Sequence, residues 1–469
     1  MPASGAPGRA RGEGLGKVAK AFEEFCGMIV AADLFITRGE SAAGHARRYL
    51  SGLVSGTGRK NMERMNERVG PQEESDYEGM QHFLSGSPWD EREVYDFIAQ
   101  EADGRLGGRA DSMLIIDESA FSKKGRMSAG VARQHNGRLG KQDNCQVGVF
   151  SVLNCGTHSV PVGARLFLPD EWVEDKQRCL KAGVPQGRIE ERTKIELARE
   201  LIEQAVEQKI RFACLGIDAF YGRDSGLLEW IDEQELVYCA DVPANALVFE
   251  RQPKEEKRPK RMREAAVRVD KLAGKMSKRR GQMIDLREGE NGLVRAEMWC
   301  KRVWVWPADR EQPRECWLIV RRTGEGTLKT SLSNAPKDTP LSRLARWQGA
   351  RYFVERAFQD GKSHAGMAQY QARGWRAWHH HMALVSLALL FMMEQRLLLA
   401  DHAPLLSAAD IVELLDWRLA RPRTESELVA SIEARHRQRE RNALAAQNRA
   451  REKIGRRKKR EIRNRNLPK

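Results

Sequence analysis

The apolar positions follow different rules in successive parts of the chain. From about Leu15 to Leu106 they recur at helical spacing. VAKAFEEFCGMIVAADLF, AAGHARRYLSGLV and YEGMQHFLSGSPWDEREVYDFIAQEA show it, with polar turns between them. In the last of these SGS breaks the helix, Pro88 stands near the next start, and acidic residues follow in its first turn. From Ser112 the spacing becomes that of strands. MLIID is a short buried run, and RMSAGVARQ and NCQVGVFSVLN alternate, separated by Gly and Asn-Gly. VPVGARLFL ends at Pro169, a helix over ERTKIELARELIEQAVEQ follows, and RFACLGID is the next buried strand.

Three strands, then a helix and a strand, is the opening of an RNase H-like fold. The helix expected next is delayed. Between about Asp224 and Ala345 lie LVYCADV, a basic stretch from Lys254 to Arg280, and the β-rich segments AEMWCKRVWVWP and ECWLIVRRTG. The expected class is therefore α/β: an RNase H-like core interrupted by a β-rich insertion, with an N-terminal helical domain and a basic helical C-terminal tail. The expected boundaries are 1–14 (a disordered Gly/Ala/Pro/Arg-rich start), 15–106 (helices), 107–223 and 346–400 (core), 224–345 (insertion) and 401–469 (C-terminal helices and tail). The short helices with interspersed Arg/Lys fit either a small DNA-binding bundle or an ordinary helical cap. Thr424 and Glu427 have capping-box spacing for the final helix.

Three apolar runs each end on one carboxylate: LIIDESAFSKKG at Asp117, CLGIDAFYGRD at Asp218 and RYFVERAFQDGK at Glu355. Singly, each aspartate reads equally well as a turn former or cap, and the glutamate reads more often as a solvated residue or ion-pair partner. Jointly, two aspartates at strand ends and a glutamate on a helix are what divalent metal ions need against a phosphodiester. Arg351, Glu355, Phe358 and Lys362 stand at i, i+4, i+7 and i+11, one stripe of a helix. Arg351 and Lys362 are expected to meet flanking phosphates while Glu355 faces metal. Lys123 and Lys124, in the turn after the first acid, fit either a solvated turn or a phosphate contact, and are read as phosphate contacts because the site lies beside them. His379, His380 and His381 are consecutive, so on a helix they point about 100° apart and cannot converge on one ion. They are expected to pack. So are most of Trp299, Trp304, Trp306 and Trp317, although one could stack on an unpaired base.

Composition sharpens the partner. The 469 residues carry a net charge of +15, which favours a polyanion. From Arg435 to Lys469 there are 15 Lys/Arg against 3 Asp/Glu, so 15 − 3 = +12 of that charge lies in the tail. None of the eight cysteines forms a C-x-x-C pair, which argues against zinc and for a reduced, intracellular protein. The start MPASGAPGRARGEG has no apolar core, so no signal peptide is expected. The run from Met382 to Met393 is too short to span a bilayer, so no membrane association is expected.

With these residues in view, the chain resembles bacterial insertion-sequence transposases of the DDE type, the cut-and-paste group with a β-insertion between the second Asp and the Glu. The stretch IDESAFSKKGRMSAGVARQHNGRLGKQDNCQVGVF is similar to that family's first-acid strand and hairpin, and RLFLPDEWVEDKQRCLKAGVP and IDAFYGRD add to it. Arg351, Glu355 and Lys362 match the R-x3-E-x6-K signature, while Gln348 stands where the signature has tyrosine. Glu118 follows the first acid where many relatives have Asp, which leaves open whether it joins the metal site. RRYLSGLVSGTGRKN and MQHFLSGSPWDEREV resemble the family's DNA-binding region.

The resemblance implies a bacterial DNA transposase, cytoplasmic and associated with the nucleoid. It implies binding of double-stranded terminal inverted repeats, pairing of two ends within a homodimer, metal-dependent cleavage, and joining of the 3′ hydroxyls to target DNA. Two Mg2+ ions are implied, with Mn2+ as a substitute. Asp117 would bridge them, and Asp218 and Glu355 would complete one each. The competing readings are a catalytically inactive transposase-derived DNA-binding protein, a nuclease or resolvase of branched DNA, and a basic nucleic-acid-coating protein.

Overall fold

A computed structural model describes residues 15–37, 39–56, 58–69, 77–253, 266–289, 292–306, 312–420, 422 and 424–465. The start 1–14 and the part 254–265 of the expected basic stretch lie outside the described residues. The chain forms two units, Met1–Ala420 and Arg421–Lys469.

In the first unit the helices Val18–Ala31, Ala43–Val54, Met62–Val69, Tyr77–Ser85 and Glu91–Leu106 occupy the region read as helical. A two-residue hairpin of β1 (Ile36–Thr37) and β2 (Glu40–Ser41) interrupts them. Helix Glu91–Leu106 starts where Asp90 accepts a hydrogen bond from Arg92 N at 2.8 Å. Its inward stripe is Val94, Tyr95, Ile98, Ala99, Ala102 and Leu106. These helices share one hydrophobic core with the sheet and with helix Trp375–Leu398.

Helix Trp375–Leu398 is long and apolar enough to cross a membrane by composition, yet it is buried within this unit from Ala377 to Gln395. Being apolar all round, it serves as a central core helix. The three histidines pack as expected. His380 stacks on Trp89 with ring centres 3.6 Å apart, and its Nδ1 and Nε2 each lie 3.0 Å from a backbone carbonyl, of Leu84 and Trp89. Tyr49 Oη is 2.8 Å from His381 Nδ1.

The sheet is mixed. Strands β3 (Met113–Ser122), β4 (Ala132–Asn136), β5 (Lys141–Cys155), β6 (His158–Leu166), β7 (Cys214–Ile217) and β8 (Tyr238–Asp241) form its first half in chain order. β6, β5 and β3 are neighbours in an antiparallel meander, and β7 and β8 continue outward parallel to β3. β4 pairs with the first part of β5. A parallel neighbour requires a crossover, and helices Lys194–Glu207 and Ser225–Glu233 supply the two. Thr193 and Glu196 form the capping box that starts the first of them. This mixed α/β arrangement is consistent with an RNase H-like core. The strand expected over RMSAGVARQ begins only at Ala132. Gly130 bends the chain there at φ +71°, where a Cβ would come within 2.6 Å of Phe167 O.

The region 224–345 is β-rich, as the pattern suggests. β9 (Leu247–Val248) and β10 (Val267–Arg268) make a small pair. β11 (Gln282–Gly289), β12 (Gly292–Val305), β13 (Arg314–Arg322) and β14 (Leu328–Ser333) form an antiparallel meander. β14 then pairs with β8 through Ser331–Asp241 and Leu332–Ala240, so the meander extends the core sheet to ten strands. Covering the open edge of β8 satisfies its backbone groups. Trp299 and Trp306 are buried here, and Trp304 and Trp317 half-buried. A helix, Val269–Met276, stands within the stretch read as a basic loop, because Val269, Leu272 and Ala273 give it a buried stripe.

In the second unit the helix Glu425–Arg465 is long, as expected. Its capping box is formed: Thr424 N donates to Glu427 Oε2 at 2.9 Å and Glu427 N to Thr424 Oγ1 at 3.3 Å.

Candidate active site

Register brings the first two acids together. In the parallel pair β3–β7, Ile116 lies opposite Ile217. The next residue on each strand is Asp117 and Asp218. Ile115, Ile116, Leu215 and Ile217 are fully buried, so the strands are anchored in the core up to the point where each carboxylate emerges. Asp218 also caps the short helix Ala219–Gly222, accepting from Phe220 N at 2.9 Å and Tyr221 N at 3.2 Å. Asp117 Oδ1 accepts from Glu118 N at 2.7 Å. Helix Tyr352–His364 carries Glu355 in its first turn. All three acids line one cleft of about 950 Å³, together with Glu118, Lys194, Arg351, Phe358 and Lys362.

Burial dominates the setting of Asp117. Burial pushes the Asp117 carboxyl up to about 7, Asp218 and Glu355 push the same way, and Arg351 opposes them. Arg351 stands at the junction of helices Leu341–Ala350 and Tyr352–His364. Its Nη1 is 3.5 Å from Asp117 Oδ2 and its Nε 3.1 Å from Asp241 Oδ2. Asp241 accepts a further bond from Ser331 Oγ at 2.6 Å. Lys362 Nζ donates to Ala120 O at 3.3 Å and reaches the cleft from two turns further along.

Of the seven residues singled out, Asp117, Asp218, Glu355, Arg351 and Lys362 share this cleft, and Lys123 and Lys124 do not line it. Lys123 lies six positions beyond Asp117 along an extended strand, roughly 20 Å. The Lys123 ammonium sits 3.4 Å over the Tyr370 ring, and burial lowers it to about 7. Lys124 is exposed.

Two partners escaped the sequence reading. Lys194 Nζ is 2.5 Å from Glu118 Oε2, and Tyr221 Oη donates to Glu118 Oε1 at 3.3 Å. Glu118 is thus held by neighbours on its own side of the strand. The capping box at Thr193 could have placed Lys194 in a first helical turn, but nothing local aims it at Glu118. Asp241 had a signal: LVYCAD is another apolar run ending on a carboxylate.

The donor set is all carboxylate oxygen, which suits hard divalent cations such as Mg2+ or Mn2+. Among the described residues no three His, Cys, Asp or Glu side chains converge on one point as they stand. The Arg351 guanidinium now provides the positive charge at Asp117. A buried carboxyl pushed up by its surroundings and by neighbouring acids, as Asp117 is, is what an added cation relieves.

A family profile described as DDE superfamily endonuclease matches residues 36–292. The match takes in more than half of the chain, includes Asp117 and Asp218, and stops short of Glu355. The chain is also similar to a protein of Microchaete diplosiphon described as a probable transposase for insertion sequence element IS701, 31% identical over 204 residues. That alignment covers 42% of this chain and 48% of the relative, so it spans about half the length of the protein it matches.

Proposed function

This chain belongs to the DDE superfamily endonucleases, and from that premise we propose that it is a DNA transposase whose catalytic acids are Asp117, Asp218 and Glu355. The observation that carries the reading is the Ile116–Ile217 register, which sets Asp117 and Asp218 side by side at one rim of the cleft that Glu355 lines. The reaction is in-line displacement at a phosphodiester, first by water at an element end and then by the freed 3′ hydroxyl on target DNA. Two bound Mg2+ or Mn2+ ions would supply Lewis-acid stabilisation of the phosphate and a lowered pKa for the attacking water.

The chain's own residues do the rest. Asp117, Asp218 and Glu355 would hold the ions through their carboxylate oxygens, and Asp117 would give up its proton to do so. Asp218 is pre-oriented by the two backbone N–H groups it caps. Arg351, drawn off Asp117, and Lys362 would each contact a phosphate flanking the cut. Lys194 and Tyr221, which already engage Glu118, would keep it out of the donor set. The helices of 15–106 would read terminal repeats, two copies of the chain would pair two ends, and the +12 tail would add a salt-dependent hold on the DNA backbone. The setting would be the bacterial cytoplasm and nucleoid.

The test is Mg2+-dependent cleavage of a duplex carrying the element's own end, with wild type and Asp218→Asn compared. Cutting by wild type, lost in a variant that still binds, supports the transposase. Binding without cutting by either points instead to a DNA-binding derivative. Equal cutting by both removes Asp218 from the catalytic set.

A further inference from the structure

Beside the acidic cleft lies a second, smaller one of about 150 Å³, and Arg351 and Glu355 belong to the walls of both. Its other walls come from the extension of the sheet: Arg287 on β11, Arg321 on β13 and Lys329 on β14. Arg321 and Lys329 are direct cross-strand partners in the antiparallel β13–β14 pair. Like charges placed opposite one another destabilise a sheet unless something negative sits between them. Among the described residues neither has an ion pair. The carboxylate in the wall on that side, Asp241, is already engaged by Arg351 and Ser331. Four cations of the wall (Arg287, Arg321, Lys329, Arg351) face two carboxylates (Asp241, Glu355), an excess of two positive charges.

Two further observations point to an anionic occupant. Arg321 Nε is buried and has no hydrogen-bond partner in the protein. Burial lowers the Arg321 pKa, and Arg287 and Arg351 lower it further against the pull of Asp241. Its charge is therefore under-compensated. Arg287 is held in place with its guanidinium 3.3 Å over the Tyr352 ring. A cluster of guanidinium and ammonium donors is what binds a phosphate.

We propose that this cleft is a phosphate-binding subsite, in which Arg321, Lys329 and Arg287 grip a backbone phosphodiester of the same DNA strand, next to the one being cut. The inference rests on reading the acidic cleft as the site of DNA cleavage. The β-rich extension then fixes the register of the strand, so that the scissile phosphate falls at Asp117, Asp218 and Glu355.

The experiment is a scan of neutral methylphosphonates, one at each position within a few nucleotides of the cut, in a duplex carrying the element's end. Full-length wild type, Arg321→Gln and Lys329→Gln are compared. Lys329 is exposed, so its variant reports on binding even if Arg321→Gln folds poorly. Wild type should slow at least tenfold at one flanking position. Both variants should be about tenfold slower on unmodified DNA and lose less than twofold more at that same position, while staying sensitive elsewhere. If the penalties of variant and methylphosphonate multiply at every position, the subsite is wrong and the catalytic reading stands. If wild type does not cut unmodified DNA in Mg2+ or Mn2+, the catalytic reading falls and takes the subsite with it.

Discussion

Arg351 and Asp117 are joined across the cleft, Nη1 to Oδ2 at 3.5 Å, while the same guanidinium holds Asp241 through Nε at 3.1 Å. One cation therefore ties the end of β3 to the end of β8, using a residue between two helices. Removing it leaves two partly buried carboxylates without their partner. Arg351→Ala is expected to cost about 1–3 kcal/mol of stability at pH 8 in urea unfolding with EDTA present. The cost should shrink toward pH 5, because Asp117 can then take up a proton instead. A loss of the same size at both pH values would show that the Asp117 contact contributes nothing.

The raised Asp117 pKa fixes the sign of a pH effect in the metal-free protein. A carboxyl that ionises near 3.8 when unfolded and near 7 when folded binds more protons in the folded state between those values. Its contribution to stability is complete below about pH 4 and is lost as pH rises to about 7. Asp117→Asn, which cannot ionise, should melt several degrees higher than wild type at pH 8 and at nearly the same temperature at pH 4. Mg2+ should raise the melting point of wild type at pH 8 and leave the variant nearly unchanged. Scanning calorimetry with and without the ion measures both, and a variant that melts lower at pH 8 would refute the argument.

His380 is expected to matter for packing and not for metal. Its ring fills the space between Leu84 O and Trp89 O and stacks on Trp89. Burial depresses its pKa to about 4, so it stays neutral at physiological pH. His380→Leu strips a buried carbonyl of its donor and should cost about 2–4 kcal/mol. Urea midpoints test this. Zinc or magnesium titration should give the same binding isotherm for wild type and variant.

Deleting the residues from Arg435 onward removes a net +12. The body to Ala420 is a unit of its own, so it should keep its melting temperature. Affinity for a random duplex should fall at least tenfold at 0.1 M salt, and the slope of log K against log salt should flatten. An unchanged slope in fluorescence anisotropy would mean that the tail does not touch the backbone.

Much of the site was legible because its signal is local. A buried apolar run that stops on an acid marks a strand end, and LIID, LGID and the R-x3-E-x6-K stripe each carry their information within a dozen residues. The strand expected over RMSAGVARQ begins late because Gly130 requires a backbone bend that alternation does not reveal. Lys123 and Lys124 stand close to Asp117 in sequence, yet an extended strand carries them away from it. Lys194 lies 76 positions from Glu118 in the chain and is its ion-pair partner.

The sequence by itself determined most of the elements and their order, the acids at the strand ends and the concentration of charge in the tail, because periodicity, capping and burial are properties of near neighbours. Tertiary structure decided which acid stands beside which, that Arg351 bridges Asp117 and Asp241, and that β14 pairs with β8 to bring Arg287, Arg321 and Lys329 to the rim of the cleft. Those relationships depend on strand register and on contacts between residues far apart in the chain, and no local pattern encodes them.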